Sequence, residues 1–292
     1  MNKGLTITLI VLLSILLAGV VGVMIFLFKG DINFNNFIVA FGESKTLVEE
    51  KEINSIKKLN IEANRADVLV EVKEENTSIK VELYSDHAEE YEITEKENEI
   101  KVVLKDEKFT GFNTKGSRVK IYVPSTYDKD IKVVNKTGDI KIDKLSKSDL
   151  DLKLTTGDII VSEAKDALIS LTTGDVEVGK VNKADITGVT GDIDVDDSNI
   201  VKVKLTTGDI TLGDVNESLD LTSTTGDIKI DEANLQTNSS IKSGTGDVKI
   251  RETSNCYIEA NTKVGDTRIN NNDRKSDNVL TITSRVGDIR AN

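Results

Sequence analysis

Apolar residues recur at every second position through most of this chain, and the phase of that alternation flips at a repeated Gly-Asp landmark. The landmark glycines are Gly138, Gly157, Gly174, Gly191, Gly208, Gly226, Gly246, Gly265 and Gly287, with spacings of 19, 17, 17, 17, 18, 20, 19 and 22 residues. Two positions after each glycine stand Ile140, Ile159, Val176, Ile193, Ile210, Ile228, Val248 and Ile289, with Thr267 the exception. Four positions after it come Ile142, Val161, Val178, Val195, Leu212, Ile230, Ile250 and Ile269. Five positions before it lie Val133, Leu152, Ile169, Ile186, Val203, Leu221, Ile241, Ala260 and Ile282. Two residues earlier still, most positions are again apolar (Ile131, Leu150, Val201, Leu219, Ile258, Leu280). Period-two alternation on both sides of the landmark predicts strands with one buried face.

The apolar offsets are odd before the glycine and even after it. A straight strand keeps one parity, because a one-residue slip turns every side chain to the opposite face. The chain must therefore turn a corner at Thr-Gly-Asp, where glycine supplies a positive φ. Each unit reads as strand, Gly-Asp corner, strand and a second, looser turn that absorbs the variation in spacing. Units this short cannot bury a core alone, so neighbours must stack. The fold expected is all-β, a β-solenoid of stacked coils of about 17–20 residues with a Gly-Asp corner, preceded by one N-terminal transmembrane helix. Nine corners stacked at strand spacing give a rod segment of roughly 40 Å.

A weaker unit precedes the regular ones at Leu59, Ile61 and Ala66-Asp67-Val68, with alanine where the others have glycine. Further strand-like runs cover 78–84, 99–104 and 118–123, and Pro124 ends the last. The organisation expected is an anchor over 1–29, a charged juxtamembrane linker over 30–56, irregular β-coils or a small β capping domain over 57–136, and the regular solenoid over 137–292. The last turn, Gly287-Asp288-Ile289-Arg290, reads as an uncapped end.

Leu5 to Phe28 is uncharged for 24 residues, about 36 Å as a helix and enough to cross a bilayer. Phe26-Leu27-Phe28-Lys29 offers no small-x-small cleavage site, so a retained signal-anchor is expected. Lys3 and the terminal amine bias it to an N-in orientation. The protein is thus expected to be a single-pass protein of the cell membrane with residues 30–292 extracytoplasmic. Phe34, Phe37 and Phe41 are placed to rest at the lipid interface.

Composition narrows the function. A net charge of −12 and the lack of any basic stripe argue against nucleic acid as a partner. No Trp occurs, and no aromatic residue lies between Tyr127 and Tyr257, as a thin aliphatic core requires. Arg268, Arg274, Lys275, Arg285 and Arg290 gather near the C-terminus, either protecting a terminal strand edge or forming a binding patch. Cys256 falls on the inward parity as a small buried hydrophobe, and a single cysteine makes no disulfide. His87 has no metal-ligand or nucleophile partner at a recognisable spacing and reads as a solvated loop residue.

The candidate chemistry lies in Asp139, Asp158, Asp175, Asp192, Asp209, Asp227, Asp247, Asp266 and Asp288, which should stack as a column. Three readings are open: carboxylates held by backbone N–H groups at the corner, ligands for a divalent cation such as Ca²⁺, or an acidic strip for a ligand. The first needs no cofactor. Lys141, Lys229 and Lys249 lie close enough in sequence to offset the charge. Catalysis is not expected, because the repeated acids are equivalent by position, whereas acid–base work needs carboxylates in different environments. No Arg lies between Arg118 and Arg251, and no aromatic platform exists to stack sugars.

The apolar N-terminal segment, the run Arg118-Val119-Lys120-Ile121-Tyr122-Val123-Pro124-Ser125 and the repeated Thr-Thr-Gly-Asp-Ile units together resemble the "putative adhesin" family of bacterial β-strand-repeat proteins. The anchored arrangement is similar to LiaG-type members, which accompany cell-envelope stress systems of Gram-positive bacteria. The resemblance spans roughly 55–292 plus the anchor. It implies a surface β-solenoid linked to envelope-stress sensing and transfers no site residue. The expected function is a binding or scaffold module that meets an envelope protein or surface polymer. The alternatives are a self-associating structural scaffold and a calcium-dependent adhesin.

Overall fold

A computed structural model describes residues 46–85, 90–105, 117–270 and 272–292. Every regular element among them is a strand, and none is a helix long and apolar enough to cross a membrane. The anchor expected at 5–28, Phe34, Phe37, Phe41 and His87 lie outside the described residues. Residues 45–292 make up one unit around one aliphatic core.

The regular coils are β8 (Ile140–Thr156), β9 (Ile159–Thr173), β10 (Val176–Thr190), β11 (Ile193–Thr207) and β12 (Ile210–Thr225). They pair in parallel, so that Val176 sits between Ile159 and Ile193, and Ile186 between Ile169 and Val203. In β10 the buried positions are 176, 178, 181, 184, 186 and 188. Alternation therefore breaks at the Gly-Asp corner and twice more, before and after Val181, which gives each coil three sides, one of them very short. The second turn expected from sequence is not a loop here: hydrogen bonding runs through both bends, because neighbours of equal length stay in register even where the backbone bends. Unequal lengths are absorbed at the bends, at the register shifts between Leu145 and Asp149 and between Ser198 and Ile200. Only from β13 (Ile228–Asn234) and β14 (Ser239–Thr245) onward does a coil divide into separate strands.

Both ends depart from chain order. The weak first unit is β2 (Lys58–Lys73), and its C-terminal side carries the regular stack through β7 (Ile131–Thr137) and β8. Its other side is covered by β5 (Glu99–Lys105) and β6 (Ser117–Pro124), later in sequence. Antiparallel strands close this end. β3 (Ile79–Tyr84) lies on β6, β1 (Leu47–Ile53) on β3, and β4 (Glu90–Glu95) on β5. Residues 47–53 were expected to be part of a charged spacer. They form an edge strand because Ile53 is buried and Val48 packs partly against the core, while Glu50 and Glu52 face out.

At the C-terminal end, β15 (Val248–Ser254) is followed by β16 (Tyr257–Thr262), β17 (Thr267–Ile269), β18 (Val279–Val286) and β19 (Ile289–Ala291). β18 pairs with β14 on one side and β16 on the other, and β19 lies likewise between β15 and β17. The corner at Gly287 is thus the penultimate rung, and the corner at Gly265 is the outermost. The uncapped end expected at Gly287–Arg290 is covered on both sides. On the outer rung, the Asn272 side chain accepts the Ile258 N–H at 2.7 Å and donates to the Ile258 carbonyl at 3.1 Å, standing in for the next strand.

Candidate functional site

All nine landmark glycines adopt φ between +113° and +138°. A Cβ at any of them would strike the carbonyl oxygen of the neighbouring rung's corner, as near as 1.7 Å at Gly191. This contact fixes the corner sequence: the backbone passes where no side chain fits.

The nine aspartates form one column, joined at its start by Asp67. Except on the outermost rung, at Asp266, each carboxylate Oδ1 accepts the backbone N–H of the aspartate in the next rung. The distances are 3.0 Å from Asp158 to Asp139, 2.9 Å from Asp175 to Asp158, 2.7 Å from Asp192 to Asp175 and 2.8 Å from Asp209 to Asp192. The chain of bonds continues through Asp227 and Asp247, then to Asp288 before Asp266, following space rather than sequence. The other oxygen meets cations at places, with Arg290 at 2.8 Å from Asp288 and Lys229 at 3.9 Å from Asp209. An ionised acceptor binds an N–H more strongly than a neutral amide does, which gives the column a reason to be aspartate. Burial raises the carboxyl pKa of Asp139, Asp158 and Asp175, and the N–H from the next rung opposes it. Among the described residues, no three or more His, Cys, Asp or Glu side chains converge to hold a metal. Asp175→Ala removes the acceptor of the Asp192 N–H at an exposed corner and is expected to cost about 0.5–1.5 kcal/mol. Asp175→Asn keeps an acceptor oxygen and should cost less than half of that. Thermal melts of the two variants check this, and EDTA should leave the wild-type melt unchanged.

One acidic cluster sits outside the column. Asp194 and Asp196 on β11 and Glu177 on β10 face outward together, and Glu177 is the register partner of Asp194. Partial burial, then Asp196 and Glu177, push the Asp194 carboxyl up to about 6. A raised folded pKa means that the folded state holds the proton more tightly than the unfolded one, so this group's contribution falls as pH rises from about 4 to 6. Asp194→Asn should therefore raise stability at pH 7.5, by about 1 kcal/mol after solvent screening, and leave it unaltered at pH 4. Melts at the two pH values test the sign.

An open groove of about 580 Å³ runs across rungs from β5 and β2 to β10. Leu59, Ile131, Leu150 and Ala167 line its floor, with Leu168 on its surface. Its rim carries six carboxylates (Glu99, Asp130, Asp149, Asp151, Asp166, Asp185) and three lysines (Lys58, Lys132, Lys183). Each rim carboxylate already has a partner: Lys58 reaches Asp130 at 2.5 Å, Lys165 reaches Asp149 at 3.1 Å, Lys202 reaches Asp185 at 3.8 Å and Lys132 reaches Asp151 at 3.9 Å, while Asn182 donates to Asp166 at 2.9 Å and Asn60 to Glu99 at 3.2 Å. The sequence reading missed this groove, although its signal was present. Asp130, Asp149 and Asp166 all lie eight residues before a landmark glycine, and stacking turns that repeat into a strip.

A second patch lies on the N-terminal cap. Glu82 is buried, accepts the Tyr84 hydroxyl at 2.7 Å and pairs with Lys80 at 2.8 Å. Burial pulls its pKa upward, and the bonds from Lys80 and Tyr84 outweigh that and hold it low. Burial and Glu82 raise both Tyr84 and Tyr122 to about 12. Lys73 lies 5.4 Å over the Tyr122 ring and Lys120 5.7 Å over Tyr84. This network is closed on itself and reads as a structural plug. Cys256 is buried as expected, and burial raises its thiol to about 11.

Comparison with known proteins adds the following. The family model described as Toastrack DUF4097 matches residues 56–291. Among curated proteins, none matches the chain. The fold is similar to a "putative adhesin" of Bacteroides fragilis, with 13% identity, 85% of this chain and 98% of that chain covered, and a TM-score of 0.39. It is similar to a "putative adhesin" of Parabacteroides merdae at 14% identity, covering 85% and 97%, with a TM-score of 0.39. A "putative cell adhesion protein" of Clostridium sporogenes gives 13% identity, 83% and 98% coverage, and a TM-score of 0.23.

Proposed function

We propose that this chain, which belongs to the Toastrack DUF4097 family, is a non-catalytic binding scaffold of the bacterial cell envelope. Residues 5–28 hold it in the cell membrane as a single-pass anchor, with the solenoid outside the cytoplasm. The groove from β2 to β10 receives an extended segment bearing amines, either a strand of an envelope protein or a surface polymer. The observation that carries this reading is the groove's construction. It repeats the same outward positions in successive rungs about 4.8 Å apart, and its rim carries a row of carboxylates whose present partners are exposed lysines and asparagines that an incoming amine can displace. Such a surface recognises a repeating, extended partner rather than a small molecule. Support against catalysis comes from the corner acids, which are equivalent in environment and committed to backbone N–H groups. A link to envelope-stress sensing would run through the same partner.

In-cell cross-linking of the anchored protein, enrichment and mass spectrometry test the proposal. One or two membrane proteins or a wall polymer should be recovered. Neutralising Asp149, Asp166 and Asp185 together to Asn should cut that recovery about tenfold, since rim charges at an interface each contribute modestly. Undiminished recovery with the triple variant would remove the groove from the mechanism. Recovery of the chain alone would favour the self-associating scaffold, and a melt that falls on adding EDTA would favour calcium-dependent adhesion.

A further inference from the structure

The C-terminal rung is threaded into the stack. After β15 the chain steps over one vacant rung position, lays down β16 and β17 as the outermost rung, and returns to fill the gap with β18 and β19. The step is made at Asn255, the only non-glycine residue with positive φ (58°) among the described residues. The slot is a receptor with two prepared walls. On one side Asp247 Oδ1 takes the Asp288 N–H at 2.8 Å; on the other Asp288 Oδ1 takes the Asp266 N–H at 2.9 Å. Gly246 N–H donates to the Val286 carbonyl, and Gly287 N–H to the Val264 carbonyl. Leu280, Ile282 and Ile289 fill the core between them.

Two features make the occupant of this slot interchangeable between molecules. β16 and β17 pair with no strand of the regular stack and reach it only through β18 and β19, so the slot and its outer wall depend on a segment made after both. The connection from Asn270 to Asn278 is polar throughout and touches the body through side-chain clips. Ser276 Oγ donates to the Asn255 carbonyl at 2.7 Å, Asn278 donates to Asn255 and Leu235 carbonyls, and Asn272 brackets Ile258. At the two ends of the stack, antiparallel β1 and β4 lie on β3 and β5, and Asn272 occupies the backbone N–H and carbonyl of Ile258.

We propose that β18–β19 is an exchangeable rung, and that a second copy of this chain supplies it in trans, linking copies by strand donation into the slot between β14–β15 and β16–β17. The exchanged dimer repeats every contact of the closed chain except those of the hinge over 270–278, so its cost lies in the hinge alone. A short tether gives the cis rung an effective concentration in the millimolar range. Dilute chains therefore close on themselves, and exchange occurs when copies fold close together or the hinge is too short to return.

The test uses Ser243 and Ser284, which are register partners across β14 and β18, both buried. Neighbouring rungs stand ~4.8 Å apart, within the span of a disulfide. In a Cys256→Ser background, full-length Ser243→Cys and Ser284→Cys chains carrying different tags are co-expressed and oxidised. The expected result is a disulfide joining the two tags, rising at least about fivefold when residues 273–276 are removed from both chains. The double Ser243→Cys/Ser284→Cys chain reports closure in cis. Cis closure with no tag-to-tag disulfide, hinge-shortened chains included, overturns the proposal. Light scattering on the hinge-shortened chain without introduced cysteines decides independently of the disulfide chemistry: a dimer supports exchange, and a monomer alone overturns it.

Discussion

Gly191→Ala is expected to lower the melting temperature of the solenoid by about 8–16 °C, the shift that corresponds to about 4 kcal/mol in a domain of this size. Two effects add. At φ +133° an L-residue is strongly disfavoured, and the new Cβ would lie 1.7 Å from the Gly174 carbonyl oxygen. That oxygen belongs to the backbone and cannot rotate away. Relief requires moving the corner, which breaks the Asp192–Asp175 and Asp209–Asp192 bonds on either side. Because each rung touches only its neighbours, the damage should be local and appear as an earlier, broader transition. Gly188→Ala, three residues away, is the internal control. Its Cβ would point inward, meeting the flexible Leu205 Cδ1 at 2.9 Å and Ile193 Cδ1 at 3.6 Å, with no positive φ. Other rungs place Leu154, Leu171 and Leu205 at that position. A change within about 1 kcal/mol is expected there. Equal melts for the two variants would mean that the corner is not the rigid element of the coil.

Ending the chain after Asn278 is expected to release residues 255–278 as well as removing the last rung. In sequence, 257–269 lies upstream of the cut. In space, β16 and β17 hold to the body through β18 and β19. Removing those strands takes away Leu280, Ile282 and Ile289, each worth about 1.5–3 kcal/mol of burial, along with the seat of the outer rung. Hydrogen exchange should show amide protection at 257–262 falling by about a hundredfold or more, while the rungs between β8 and β12 keep theirs. If 257–262 stayed protected, the outer rung would have dropped onto β14 and β15 in simple chain order. The rungs Lys263–Asn270 and Arg285–Asn292 are similar enough in sequence for that outcome to be a real competitor.

That similarity shows where reading the chain stops. The Gly-Asp column, the inward columns of Ile, Val and Leu, and the early unit at Ala66-Asp67 were legible because each rests on local geometry. A strand has period two, and a corner needs a residue without a side chain. The aspartate column was legible as a column, yet its partner was not, since the N–H that it accepts lies 17 to 41 residues away along the chain. The groove went unread for a related reason. Asp130, Asp149 and Asp166 look like scattered surface acids until stacking sets them side by side. The second turn was misread as loose, because its residues lack a consistent apolar pattern and only the equal length of adjacent coils keeps them paired.

By itself, then, the sequence determined the coil: which residues point inward, where the backbone turns, and that coils must stack because none can bury its own apolar face. Tertiary structure alone decided the order of the rungs at both ends, with β2 enclosed by later strands and β18–β19 enclosed by earlier ones. The physical reason is that nearly equivalent rungs have nearly equal affinity for any one seat. Local pattern cannot rank them, and the choice falls to side-chain clips such as Asn272 and to the reach of the connecting chain.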